Sequence, residues 1–268
     1  MDFDKETLML TALAGGAFLV MRYVFSHSDE EGELDDVVAT AHHAEYAGVT
    51  VNPADILRLN PRFATEPLAD REYAIRKLGG KPVNPTKYPY TLDGFQSYLD
   101  AVGVNSDWAS ALELAKINHP DVGRRYGYTL FLPPHVWWPK AAALALLQNK
   151  IRALVGQGVI ISNWWRPAGY NEAVGGAKKG DHPDGDALDL YFSSNAAKWK
   201  ACRYVYALQQ SEPQLAVSLG IYGNNGVLHV GLQSARGLRT WDYTNGKGTG
   251  ARVTQAKIDA GLRNAGVA

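Results

Sequence analysis

Two short apolar runs late in the chain constrain it most, because each carries a polar group at its centre. In DALDLYF, residues 186–192, an extended backbone sends alternate side chains to opposite faces. Leu188, Leu190 and Phe192 then face a core, while Ala187, Asp189 and Tyr191 face away from it. In VLHVGL, residues 227–232, Leu228, Val230 and Leu232 share the core face, and Val227, His229 and Gly231 share the other. A carboxylate in mid-strand is costly unless it is paired or bound to a cation. If the two strands are neighbours, Asp189 and His229 converge on one point. His182, seven residues before Asp189 across a loop containing Pro183 and Gly185, can fold back to the same point. Two imidazoles, one carboxylate and a fourth position open to water make a catalytic zinc arrangement. Spacing alone leaves blander explanations standing. A strand histidine is more often a satisfied core residue, and a strand aspartate often caps a turn. No CxxC or HExxH pattern adds to the case.

The elements around these strands define the fold class. Pro139 opens an alanine- and leucine-rich helix that runs to about Val155 and stops at Gly156. GVIISNWW, residues 158–165, is a β-branched run that reads as a buried strand. A glycine-rich loop follows, then the Asp189 strand, a helix at about 195–210, strands near 215–222 and 227–232, and a final helix at about 253–264. This order predicts an α+β domain with a mainly antiparallel sheet flanked by helices. Upstream, LADREYAIRKL predicts a helix stopped by Gly79-Gly80, and KPVNPTKYPY, residues 81–90, an extended connector. Further helices are predicted at 92–102 and 107–118, with Ser106 placed to cap the second.

The start of the chain is different in kind. Leu8 to Phe25 is eighteen residues long with one charge, Arg22. As a helix it would span about 27 Å, near the lower limit for crossing a bilayer. The preceding MDFDKE is net acidic, whereas a cleaved secretory signal normally starts basic. A membrane anchor, an apolar helix packed against protein, and an uncleaved export signal all fit. HSDEEGELDD, residues 27–36, reads as a solvated linker, and Asn52-Pro53 as a helix start. The expected division is an apolar helix over 1–26, a linker and helical extension over 27–125, and the site-bearing domain over 126–268. Lys+Arg and Asp+Glu both number 27, so no bulk basic surface is available for nucleic acid. The single cysteine, Cys202, excludes an internal disulfide.

The stretch SNWWRPAGYNEAVGGAKKGDHPDGDALDL, residues 162–190, resembles the signature region of the zinc D-Ala-D-Ala carboxypeptidases and L-alanyl-D-glutamate endopeptidases, a family that shares its fold with the hedgehog signalling domain. The pieces that carry the resemblance are Ser162 to Arg166 (one residue longer than the pattern), Tyr170-Asn171, Gly175-Gly176-Ala177, and His182-x-x-Gly185-x-Ala187-x-Asp189. His229-Val230 and a late pair, Arg239 and Trp241, complete them. The likeness spans about 130–242. It implies zinc held by His182, Asp189 and His229, with Arg166 gripping a substrate carbonyl or carboxylate through its rigid fork of donors.

One departure matters. Members of that family usually carry an acid close to the third ligand, which moves the proton between water and leaving amine. Here residues 224–228 are Asn, Asn, Gly, Val and Leu, and position 231, on the face of His229, is glycine. A carboxylate introduced at Gly231 is expected to reach the metal. Asp181, Asp184, Asp186 and Glu172 are nearby acids that read as solvated loop charges, and no base is assigned. The resemblance implies a zinc metallopeptidase that cuts peptidoglycan stem peptides; the N-terminal apolar helix would tether it to the cell envelope or a virion, and a phage lysis or entry enzyme suits both halves. The missing acid keeps open a non-catalytic metal-retaining module that binds cell-wall peptide or protein, or a structural envelope or virion protein.

Overall fold

The computed structural model describes residues 69–268, apart from 127, 129, 134, 157, 178–179, 223–225, 234–237, 245–250 and 268. The apolar run Leu8–Phe25, the acidic linker and the Asn52-Pro53 helix start lie outside the described residues. Among the described residues no helix is long and apolar enough to cross a membrane.

The first described helix, α1 (Ala69–Lys77), stops where predicted, with Gly79 at positive φ. A 3₁₀ turn at Pro85–Lys87 interrupts the proline-rich connector, capped by the Asn84 side chain. Helix α2 (Leu92–Val102) is capped by Thr91 and ended by left-handed Gly103. Helix α3 (Ala111–Ala115) is shorter than the predicted 107–118, and its cap is Ser110, not Ser106. The reason is local. The Asn105 side chain accepts from the Asp107 amide and sets a turn, so the helix starts only once Ser110 Oγ accepts from Glu113 N. A short helix α4 (Pro120–Arg125), unforeseen in the sequence, follows.

Helix α5 (Trp138–Val155) begins with Pro139 in its first turn and ends at left-handed Gly156. It is buried on nearly every side, because α1, α2, the sheet and a later helix all pack on it. Then come β1 (Val159–Asn163), α6 (Ala168–Ala173), β2 (Ala187–Phe192), α7 (Asn195–Ser211), β3 (Ser218–Tyr222), β4 (Val227–Gly231), β5 (Arg239–Asp242) and α8 (Gln255–Asn264). Among the described residues the strands form one five-stranded sheet in the order β1-β2-β4-β3-β5. All pairs are antiparallel except β3 with β5, which run parallel. The fold is therefore the expected α+β class. Strand β5 was not foreseen; only its Arg239 and Trp241 stood out.

The two faces of the sheet divide as the alternation requires. Leu188, Leu190, Phe192, Leu219, Ile221, Leu228 and Val230 are all at most 2% exposed, on the face covered by α5 and α7. The opposite face carries the polar residues described below.

Strand β1 lies at the edge of the sheet, where unpaired backbone groups invite other strands. Side chains from upstream and from α5 satisfy them. Glu113 Oε1 accepts from Ile161 N at 2.6 Å, Gln148 Nε2 donates to Val159 O at 2.9 Å, and Asn118 Nδ2 donates to Ser162 O. Glu113, Asn118 and Gln148 thus cover the sheet edge.

Candidate metal centre

The register of the sheet assembles the centre. Asn163 lies opposite Asp189, Asp189 opposite His229, His229 opposite Gly220, and Gly220 opposite Trp241. These five residues form one lateral row across all five strands, with side chains on the polar face. The extra residue in the Ser162–Arg166 motif also finds its place here. Ile161 pairs with Leu190 and Asn163 with Asp189, so a bulge at Ser162 absorbs it. Ser162 Oγ donates to Asp189 O at 3.0 Å and fixes that bulge to the neighbouring strand.

The loop before β2 brings in His182, and it is held at many points. Trp164 and Trp165, read from the sequence as strand, instead leave β1 and grip this loop. Trp164 Nε1 donates to Gly185 O at 3.0 Å, Trp165 Nε1 to Pro183 O at 3.2 Å, and Arg166 N to His182 O at 3.1 Å. At the far end Asp186 pairs with Arg71 at 2.8 Å and Lys140 at 3.1 Å. Lys140 also donates to Asp184 O at 2.7 Å. Sequence reasoning missed the role of both tryptophans. Their only signal was two large rings beside a glycine-rich loop.

His182, Asp189 and His229 come together as predicted. All three are buried, and one potential ligand atom from each lies within 4.8 Å of the others. His182 Nδ1 lies 2.7 Å from Trp164 O, a carbonyl that can only accept, so this nitrogen carries the proton. That leaves the lone pair of Nε2 facing the centre. It sits 3.1 Å from Asp189 Oδ2 yet has no hydrogen-bond partner. His229 contacts carboxylates through both nitrogens, Nδ1 to Asp189 Oδ1 at 3.1 Å and Nε2 to Asp181 Oδ2 at 3.2 Å. Asp189 Oδ2 further accepts from Arg166 Nη2 at 3.2 Å and Asn163 Nδ2 at 3.3 Å.

The electrostatics follow from this crowding. Burial raises the Asp189 carboxyl, but the pull of His182 beside it and the hydrogen bond of His229 outweigh it and hold it well below the usual carboxylate range. Burial lowers His182, against the pull of Asp189. Burial would also lower His229, yet its hydrogen bonds to Asp181 and Asp189 prevail and raise it. The cluster attracts positive charge. A metal ion fits it, because a buried imidazole lone pair without a hydrogen bond points at a carboxylate, and the donor set is two imidazoles and one carboxylate.

Two expectations are corrected. Asp181 and Asp186 are not solvated loop charges; they are 4% and 2% exposed and fully engaged. Asp184 is half-buried, and Glu172 is exposed. Position 231 has no room for an acid either. A Cβ there would lie 2.2 Å from Ser218 Oγ and 3.0 Å from Asp186 O. Tyr170, Asn171 and Gly176 do not reach the centre. Tyr170 OH accepts from His119 N, and Asn171 Nδ2 donates to Ala177 O, so these motif pieces shape the loop instead.

This geometry meets an independent comparison. Residues 124–231 match the family model Peptidase M15. The match covers less than half of the chain but contains Arg166, His182, Asp189 and His229. It supports a peptidase of the M15 family, without distinguishing carboxypeptidase from endopeptidase. No curated protein and no solved structure matches the chain. The M15 match ends at Gly231, so β5, with Arg239 and Trp241, lies beyond it.

Proposed function

We propose that this protein is a zinc-dependent peptidase of M15 type that cleaves peptidoglycan stem peptides. The single observation that carries the reading is the buried His182–Asp189–His229 cluster, which lies inside the segment matched by the peptidase family. His182 Nε2, the Asp189 carboxylate and His229 Nδ1 are the atoms that would hold the ion. Bound zinc supplies Lewis acidity and makes water a usable nucleophile at neutral pH.

The chain's own residues do the rest. Arg166 is part-buried, pairs with Asp189, and keeps a buried Nε without a hydrogen-bond partner. Its remaining donors suit an oxygen that gains charge as the peptide bond is attacked. Trp241 lies across Gly220, where a Cβ would meet its ring at 2.2 Å, and its ring centre is 4.8 Å from that of His229. It walls the centre on the β5 side and limits water. In the broader reading the N-terminal apolar run tethers the domain to an envelope or virion, the setting of a phage lysis or entry enzyme.

A second reading is a zinc-keeping module that binds cell-wall peptide without cutting it. The observation favouring it is the absence of any acid in β4, together with the close packing around Gly231. Zymography on purified cell wall separates the two. The peptidase reading expects clearing that is lost in Arg166→Ala and on chelation and regained with zinc. A zinc-loaded protein that binds wall without clearing it supports the module.

A further inference from the structure

Two residues along from the row that carries Asp189 and His229, a second row crosses the same face of the sheet. Ala187 lies opposite Gly231, Gly231 opposite Ser218, and Ser218 opposite Arg239. Three of these four are the smallest residues available, which leaves a hollow beside His229. The Asp181 side chain fills it from the ligand loop. A single oxygen, Oδ2, accepts from Ser218 Oγ at 3.0 Å, from His229 Nε2 at 3.2 Å and from Arg239 Nη2. The loop is tied down beside this carboxylate. Asp186 N donates to Asp181 O at 2.8 Å, and Leu232 N donates to Asp186 O at 2.8 Å. Asp181 is itself 4% exposed.

A carboxylate can only accept, so His229, which meets Asp181 at Nε2 and Asp189 at Nδ1, can hold a proton at either nitrogen; a metal bound at Nδ1 would take the place of the proton there and leave the Nε2 proton to Asp181. The other nitrogen, Nδ1, is then the one presented towards Asp189 and His182. We infer that Asp181 is the positioning residue of the metal centre: held by Ser218 and Arg239 in a hollow of small residues, it sets the tautomer and ring orientation that make His229 Nδ1 a ligand. Gly231 then has a structural meaning. Any side chain there would displace Ser218 Oγ and with it Asp181. Arg239 also has a place, since it clamps Asp181 while its guanidinium stacks on Trp241 at 4.9 Å. Strand β5, beyond the family match, thereby joins the centre.

This inference rests on the metal-centre reading, and its test separates the two. Full-length wild type, Asp181→Ala and Asp181→Asn are compared for zinc affinity by competition with a chromophoric chelator. The protonated nitrogen of His229 is read by long-range ¹H–¹⁵N NMR in zinc-free protein, at a pH where the ring is neutral. Asp181→Ala is expected to bind zinc about 10–100-fold more weakly, with the His229 proton shifted from Nε2 towards Nδ1. Asp181→Asn keeps an accepting oxygen, so it should retain the Nε2 proton and recover most of the affinity. An alanine variant with wild-type affinity and tautomer overturns the inference. So does an asparagine variant with the wild-type tautomer but affinity as weak as that expected for alanine, because charge and not orientation would then be what Asp181 supplies. If the alanine variant does not fold, the asparagine result decides. Wild type that binds no zinc refutes the metal reading instead, while the NMR comparison still judges Asp181.

Discussion

The two faces of the sheet are built from the same strands, residue by alternate residue, and they are held in different ways. On the helix-covered face, Leu188, Leu190, Leu228 and Val230 are buried against α5 and α7 by many weak contacts, none of them individually specific. On the other face, each group depends on one or two named partners. His182 relies on Trp164 O, His229 on Asp181 and Asp189, and Asp181 on Ser218 and Arg239. The first kind of packing makes the fold, and the second aims atoms. Substitutions on the first face should therefore cost stability while sparing the centre's chemistry, and those on the second should do the reverse.

The largest expected effect lies on the apolar face. Leu190→Ala removes a side chain that is 0% exposed at the middle of the sheet and should cost about 2–5 kcal/mol in denaturant unfolding. Zinc affinity of the folded fraction should stay near wild type. A variant that keeps its stability but loses zinc would break the division between faces.

Next comes the edge of the sheet. Glu113→Ala leaves the Ile161 amide without its acceptor and should cost about 1–3 kcal/mol. Glu113→Gln keeps an accepting oxygen and should cost less. Its pH dependence sharpens the point. Burial raises the Glu113 carboxyl above its ordinary value, against the opposing charge of Lys116 and the Ile161 hydrogen bond. A raised carboxyl takes up a proton on folding, so its contribution is present in full at pH below the unfolded value and is lost as pH rises through the folded one. Wild-type stability relative to Glu113→Gln should therefore fall as pH rises above the ordinary glutamate range. A flat difference across that range would show that Glu113 is not held protonated by its surroundings.

Smaller effects are expected at Gly231. The strand alternation alone lets an acid at this position reach the metal, but its Cβ would meet Ser218 Oγ at 2.2 Å. Gly231→Asp should lower zinc affinity and give no gain in hydrolysis; increased turnover would contradict the packing described. The smallest effect concerns the N-terminal run. Deleting residues 1–26 should leave the unfolding midpoint of the remaining chain unchanged by circular dichroism. Aggregation of the truncated protein, where the full chain is soluble without detergent, would place the apolar helix in the core.

The alternation in 186–192 and 227–232 made the two faces, the Asp189–His229 neighbourhood and the β2–β4 pairing legible, because period-two patterning needs no long-range information. The helices with clear start and stop residues, such as Pro139 to Gly156, were legible for the same local reason. Side-chain contacts between distant segments were not. Nothing near Asp181 in the chain announces Ser218 or Arg239, and nothing near Glu113 announces Ile161. Strand β5 was invisible because four residues, RTWD, carry no alternation of their own and pair in parallel only through β3. The Ser162 bulge could be sensed as one residue too many, but placing it required the register.

The central claim is that His182, Asp189 and His229 hold one metal ion, and metal content tests it most directly. Elemental analysis of purified protein, after zinc is supplied and free metal removed, should find about one zinc per chain. His182→Ala and Asp189→Ala should lose it while keeping their secondary structure. A wild-type protein that retains no metal under these conditions would contradict the account.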